Sequence, residues 1–470
     1  MRRYPTSIAV LGIVGVAAVT CSVGGLPAAS ATVAPTTPVQ QSAHATPSTA
    51  SVPSPSTGLL PDGRQLMPAG TQVQLGNYPT GGAVTADGAY LWTVSTGVSS
   101  NDIRIVDTAT NRVCQVIAVP GASGGIALDS PHRLAYVSGL ANSRFQPSKA
   151  ALPGAAGDVV LVYRWTPTCG AARLERVISV PPPAGTPSPQ QFPPPRAGLA
   201  APVISWPQKL AVSPDGSSLV VPLNLADNAA LIDVTHGDAV RYVPTGRYPF
   251  GAAVTPNGRI GLVSNEAAGT VSFIDLASGA KVADVAVGPP LSHPQGIVVD
   301  AAGRRAYVAL SASDQVVVID LPKRKVERTI WVGRAAGLGT MPVALALDPA
   351  GTRLFVAESG ADEIAVIRLP SGPATRPLNW TVTGRIATAD QPQVVATSAA
   401  RAQRPARLLY VSAEGVGVGA NRNGPVPTLA SDPIFWAFNP VAPTTDVFAG
   451  VGYLPKKVMG SAGVLPLPTD

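Results

Sequence analysis

The sequence predicts an all-β chain: a seven-bladed β-propeller of four-stranded antiparallel blades, behind an export leader and a disordered linker. Three observations carry this. Gly (47) and Pro (49) make up about one residue in five, a density that interrupts helices. Yet 46% of the chain is hydrophobic and only 13% charged, enough apolar surface for a large core. From about residue 71 the chain repeats itself with a period near 45 residues, the size of one propeller blade.

Two marks keep that period. One is a turn of small polar residues ending in Gly: Thr85-Ala86-Asp87-Gly88, Ser213-Pro214-Asp215-Gly216, Thr255-Pro256-Asn257-Gly258, Asp300-Ala301-Ala302-Gly303 and Asp348-Pro349-Ala350-Gly351. From Gly216 onward the steps are 42, 45 and 48 residues. The other is an apolar strand ending in Asp, at Asp107, Asp233, Asp275 and Asp320, with Arg368 as a variant; from Asp233 onward its steps are again 42, 45 and 48. Asn-Gly and Asp-Gly supply the positive φ of tight hairpins. Nearly all-apolar strands such as Val316-Val317-Val318-Ile319 suit sheets buried on both faces. Seven such repeats are expected, the second degenerate. The seventh runs from near Gln391 through Leu408-Leu409-Tyr410-Val411 to Gly463–Pro468, and Thr71–Leu75 is expected to add a strand to it and close the ring.

Arg2-Arg3, the apolar stretch from Ser7 to Val19 and Ala29-Ser30-Ala31 predict a cleaved signal peptide over 1–31. Cys21 leaves a lipoprotein anchor as an alternative. Residues 32–57, rich in Thr, Ser, Pro and Ala, predict a disordered linker, and 58–470 the propeller. The expected location is extracellular or envelope-associated, with no membrane span in the mature form. The formal charge of +7 falls to +5 without the two leader arginines, and Lys323-Arg324-Lys325 reads as a hairpin tip, so no nucleic acid is expected as partner. Cys114 and Cys169 are expected to pair in an oxidising compartment.

The repeats resemble the YVTN-type repeats of the lactonase-like propellers, over roughly residues 58–470. The likeness is carried by x-Pro-x-Gly starts, by Ser213-Pro214-Asp215-Gly216, and by Tyr136-Val137-Ser138, Tyr307-Val308-Ala309 and Tyr410-Val411-Ser412. Leu60-Pro61-Asp62-Gly63-Arg64, Ser412–Gly417 and Gly463–Pro468 are similar to the ends of the propeller half of exported propeller–alkaline-phosphatase-like phosphoesterases. The resemblance implies a propeller whose catalytic half is absent, and no catalytic residue is carried over.

Strand alternation places three long segments, 139–157, 181–203 and 413–462, on one face, the side where repeat scaffolds commonly bind. The residue before each x-Pro-x-Gly start belongs to that face: Tyr78, Trp206, Tyr248, His293, Met341 and Gln391. Because Pro favours an extended preceding residue, these six are expected to stand extended around the channel mouth. They form a candidate ligand ring with Arg247 and Arg334 as anion contacts, or else packing between blades. Asp102, Asp227, Glu266, Asp314 and Asp362 recur before the third strands as hairpin caps or a cation site. With no nucleophile, HExxH or P-loop motif, no catalytic residues, cofactor or metal are expected. The function expected is non-catalytic binding of a protein, peptide or glycan at the mouth. The alternative is a hydrolase-associated propeller, either half of a truncated phosphoesterase or a cryptic lactonase.

Overall fold

A computed structural model describes residues 65–97, 101–140, 158–186, 204–335, 339–370, 380–401, 404–416 and 458–468. The expected leader and linker, Cys21 and most of the three long segments lie outside the described residues. The described chain is all β. It forms seven four-stranded antiparallel sheets, and each of six blades takes four consecutive strands. Blade four is typical, with Pro249–Val254, Ile260–Asn265, Thr270–Asp275 and Ala280–Ala286 running from first to fourth strand.

The seventh blade closes the ring. Its first three strands are Asp390–Ser398, Arg407–Gly415 and Met459–Pro466, and its fourth is Thr71–Asn77 from the beginning of the fold. Gln72 lies opposite Gly463 in that antiparallel pair. The third strand begins at Met459, four residues ahead of the expected Gly463. The Gln72 side-chain amide donates to Tyr410 Oη at 2.8 Å, which fastens the seam.

The two sequence marks have one cause, which is turn capping. Thr85, Ser213 and Thr255 hydroxyls donate to Asp87, Asp215 and Asn257 at 2.6, 2.6 and 2.7 Å. In the fifth and sixth repeats the leading aspartate takes over, and Asp300 and Asp348 accept the Arg304 and Thr352 backbone N–H groups, both at 2.7 Å. The strand-ending Asp107, Asp275 and Asp320 accept backbone N–H groups of Ala109, Ser278 and Lys323 at 2.8, 2.9 and 3.0 Å.

The core is a ring of seven interfaces, one apolar cluster between each pair of neighbouring blades. Alternation divides each inner strand between two of them. Leu91 packs toward blade seven with Leu409 and Val411, while Trp92 packs toward blade two with Val137 and Leu161. Burial on both faces explains the nearly continuous apolar runs. Cys114, on the fourth strand of blade one, is joined to Cys169, in the turn before the fourth strand of blade two, with Cα atoms 5.8 Å apart. Beside this bond the Gln115 side chain donates to Ala172 O at 2.7 Å and accepts from Ala172 N at 2.9 Å.

Candidate functional site

The six residues preceding the first-strand prolines share one conformation, and it is not the extended one. Tyr78, Trp206, Tyr248, His293, Met341 and Gln391 have φ between 50° and 55°, in the left-handed region. This region costs a non-glycine residue about 1–2 kcal/mol. Hydrogen bonds hold it, two each at Trp206, Tyr248, His293 and Met341 and one each at Tyr78 and Gln391. The carbonyl of each of Tyr78, Trp206, Tyr248, His293 and Met341 accepts a backbone N–H from just beyond the second strand of its own blade, at 2.8–3.1 Å. The N–H group is held by the preceding blade: Trp206 by Asp158 at 2.7 Å, Tyr248 by Asp227 at 2.9 Å, Met341 by Asp314 at 3.0 Å and Gln391 by Asp362 at 3.0 Å. His293 N instead donates to the Glu266 carbonyl at 3.2 Å. Charge-assisted bonds of this kind are each worth about 1.5–3 kcal/mol, enough to offset the backbone cost.

The recurrent carboxylates are therefore tethers between blades. Asp227, Asp314 and Asp362 themselves adopt φ of 51–56°, which aspartate tolerates well. Asp102 instead takes Arg104, at 3.0 Å. Among the described residues no group of three or more His, Cys, Asp or Glu is disposed to hold a metal ion.

The ring divides into two arcs. On blades one and seven it is polar and tied together: Tyr78 Oη donates to Gln391 Oε1 at 2.9 Å, and Gln391 Nε2 donates to Glu414 Oε1 at 3.0 Å. Burial, with the charges of Glu414 and Asp390, raises the Tyr78 pKa. Blades three to six present an apolar arc, with Trp206, Tyr248 and Met341 exposed to 38%, 42% and 50%. Leu291, missed by sequence reasoning, is 62% exposed in the same arc, two residues before His293. Arg247 lies over the Tyr248 ring, 5.9 Å from its centroid. Arg334 is not a free anion contact, because its guanidinium is bound to the Glu363 carboxylate, with Nε at 2.9 Å.

Below the ring the first strands line a central cavity of about 180 Å³, walled largely by Gly, Ala, Ile, Leu and Val. Lys209 is the charged exception. It stands where blades one, four and five carry glycine, with Gly81, Gly251 and Gly296 following Pro79-Thr80, Pro249-Phe250 and Pro294-Gln295, and where blades six and seven carry Ala344 and Val394. Its ammonium reaches the Gln393 carbonyl of blade seven at 3.4 Å and lies 5.5 Å from the Phe250 ring centroid. Burial pushes its pKa down to about 8, with the Glu266 charge opposing.

Glu266 gathers the remaining polar groups. Gln295 Nε2 donates to Glu266 Oε1 at 2.9 Å, and His293 Nδ1 lies 3.9 Å from the same oxygen. This partner raises the His293 pKa against the opposing effect of burial. With the Gln208 amide oriented to satisfy both neighbours, it accepts from Trp206 Nε1 at 3.0 Å and donates to Ser123 O at 3.1 Å. The sequence signal for Lys209 is a charged residue at the position where the other repeats carry Gly, Ala344 or Val394. The grouping of Glu266, His293 and Gln295 had no signal, because these residues belong to two blades.

The strand ends bordering the three long segments belong to this mouth. Asp158 holds the Ser205 and Trp206 N–H groups, and Glu414 takes Gln391. The described strands run to Leu140 and Gly415 and resume at Asp158 and Met459, so they occupy parts of segments 139–157 and 413–462.

No family model matches the chain, and no curated protein does. Among solved structures it is similar to hydrazine synthase from Kuenenia stuttgartiensis, with a TM-score of 0.52 and 18% identity over 72% of this chain and 93% of that one. At that identity the likeness bears on fold alone, and it agrees with the seven sheets: the chain is a seven-bladed β-propeller.

Proposed function

We propose that this protein is an exported binding protein that takes a ligand or partner at the channel mouth without transforming it. The observation that carries the reading is the exposed arc of Trp206, Tyr248, Leu291 and Met341 above a cavity that opens among the first strands. Aromatic side chains held by two backbone hydrogen bonds offer contact area at low entropic cost. Export is supported by the leader-like residues 1–31 and by the Cys114–Cys169 bond, which persists in oxidising compartments. The YVTN-type resemblance agrees with a binding scaffold. The hydrolase-associated alternative rests on the resemblance of the chain ends.

Screening the secreted protein against glycan and peptide arrays, and by pulldown of envelope material, tests the reading. The paired change Trp206→Ala and Tyr248→Ala is expected to abolish every hit while the β circular-dichroism spectrum and a cooperative unfolding transition are retained. Hits retained by that variant refute a site at the mouth.

A further inference from the structure

We propose that the mouth recognises a carboxylate, with Lys209 receiving the anionic group of a ligand whose apolar or aromatic body lies against Trp206 and Tyr248. This deepens the mouth-binding reading and rests on it.

Among the described residues Lys209 forms no ion pair, and Glu266 acts on it only from a distance. No carboxylate of the described residues lies within 4.0 Å of its Nζ, and the Gln393 carbonyl at 3.4 Å is its one hydrogen-bond partner. An ammonium has three donors, so two are free for a ligand. Basic groups elsewhere in the ring are engaged differently: Arg334 is bound to Glu363, and Arg385 bridges Glu358 and Glu363. Apart from Gln393, the other residues lining the cavity around Lys209 are glycine or apolar, so the lining itself carries no negative charge.

The lysine also occupies a demanding position. A Cβ at Gly81 or Gly251 would collide with the carbonyl of Gly124 or Gln295 on the next first strand. Blade three admits a long charged side chain at the corresponding place. Its first strand there is reduced to Ala211–Val212, preceded by a parallel bridge from Lys209 to Gly251. The regular backbone of the blade is interrupted where the charge enters the channel.

The surroundings narrow the ligand. Glu266, held by Gln295 and close to His293, places a negative charge at the same mouth, which disfavours dianions such as phosphate. One ammonium beside one carboxylate suits a monoanion with hydrogen-bond donors elsewhere. Trp206 lies three residues before Lys209, and Phe250 lies under the ammonium, so the body attached to the carboxylate meets aromatic surface. Such a carboxylate is supplied either by a small aryl acid or by the free end of a peptide.

Calorimetry on the full chain distinguishes these cases, with phenylacetate, phenylacetamide, inorganic phosphate, and N-acetyl-Ala-Phe as free acid and as amide. Each acid is expected to bind at least tenfold tighter than its amide, and phosphate more weakly than either acid. Lys209→Met and Lys209→Gln are expected to erase the acid–amide difference while thermal unfolding is unchanged. The tighter of the two acids identifies the source. Equal binding of acid and amide, undiminished acid binding in the Lys209 variants, or no binding of either acid overturns the carboxylate assignment. If acid and amide bind equally and Trp206→Ala with Tyr248→Ala loses both, the mouth reading stands and only the anion site falls. Binding that survives both sets of variants removes both.

Discussion

Asp227 Oδ1 accepts the backbone N–H of Tyr248 at 2.9 Å, so the turn before the third strand of blade three fixes the first residue of blade four in a left-handed conformation. Asp158–Trp206, Asp314–Met341 and Asp362–Gln391 repeat this arrangement. The tether holds the mouth residues at equivalent positions and aims their side chains.

Removing the acceptor should expose its cost. Asp227→Ala is expected to destabilise the fold by about 2 kcal/mol, and Asp227→Asn, which keeps an acceptor, by less than half of that. Urea unfolding followed by tryptophan fluorescence measures both. An Ala variant as stable as wild type would show that the tether contributes nothing net.

Glu358 and Glu363 predict opposite behaviour for two adjacent carboxylates. Glu358 is fully buried, and burial raises its pKa to about 9. Burial also raises that of Glu363, but Arg334, Glu358 and Arg385 together hold it below its ordinary value. The folded state thus keeps a proton on Glu358 that the unfolded chain releases near pH 4–5. The stability this proton contributes is lost as pH climbs from there toward 9. Glu358→Gln should therefore gain on wild type with rising pH across that window. Glu363→Gln, which takes the carboxylate from Arg334 and leaves Arg385 to Glu358 and the Val332 carbonyl, should cost about 1–2 kcal/mol at pH 7. Parallel unfolding curves at pH 5, 7 and 8.5 check the pair, and a pH-independent Glu358→Gln difference contradicts the assignment.

The Cys114–Cys169 bond closes a separation of 55 residues across two blades. Loop entropy alone gives it about 4 kcal/mol. The double Cys→Ser variant is expected to lose most of this in denaturant titrations of the oxidised protein, and to match wild type under reducing conditions.

Gly251 is required by close approach: a Cβ there would meet the Gln295 carbonyl and, at 3.0 Å, Ser264 Oγ. Gly251→Ala is expected to destabilise by about 2–3 kcal/mol. Gly384→Ala is the control, because no atom lies within 4 Å of its built Cβ and its φ is not positive. Equal midpoints for the two variants would contradict the packing of first strands around the channel.

Much of the scaffold is legible in the sequence. The Asp-ending third strands and Gly-ending turns marked the repeats, because the capping bonds that select those residues form within five positions of each other. The closing strand at Thr71–Leu75 was readable as the piece missing from the last repeat. The left-handed mouth residues were not. Pro79, Pro249 and their counterparts favour an extended predecessor, and a contact from the neighbouring blade overrides that preference. Leu291 was missed for a related reason: nothing local to Pro289-Pro290-Leu291 says that it surfaces beside the channel.

The chain by itself determined how many blades form and which residues make their strands and turns. Every blade but the closing one is built from four strands consecutive in sequence, with nearly continuous apolar runs on its inner strands, so short-range chemistry suffices. The tertiary structure decided what the mouth is. Tyr78 meets Gln391 and Lys209 reaches Gln393 only because the ring closes, bringing together residues 313 and 184 positions apart. No local pattern encodes such pairs; they follow from packing seven similar sheets about one axis.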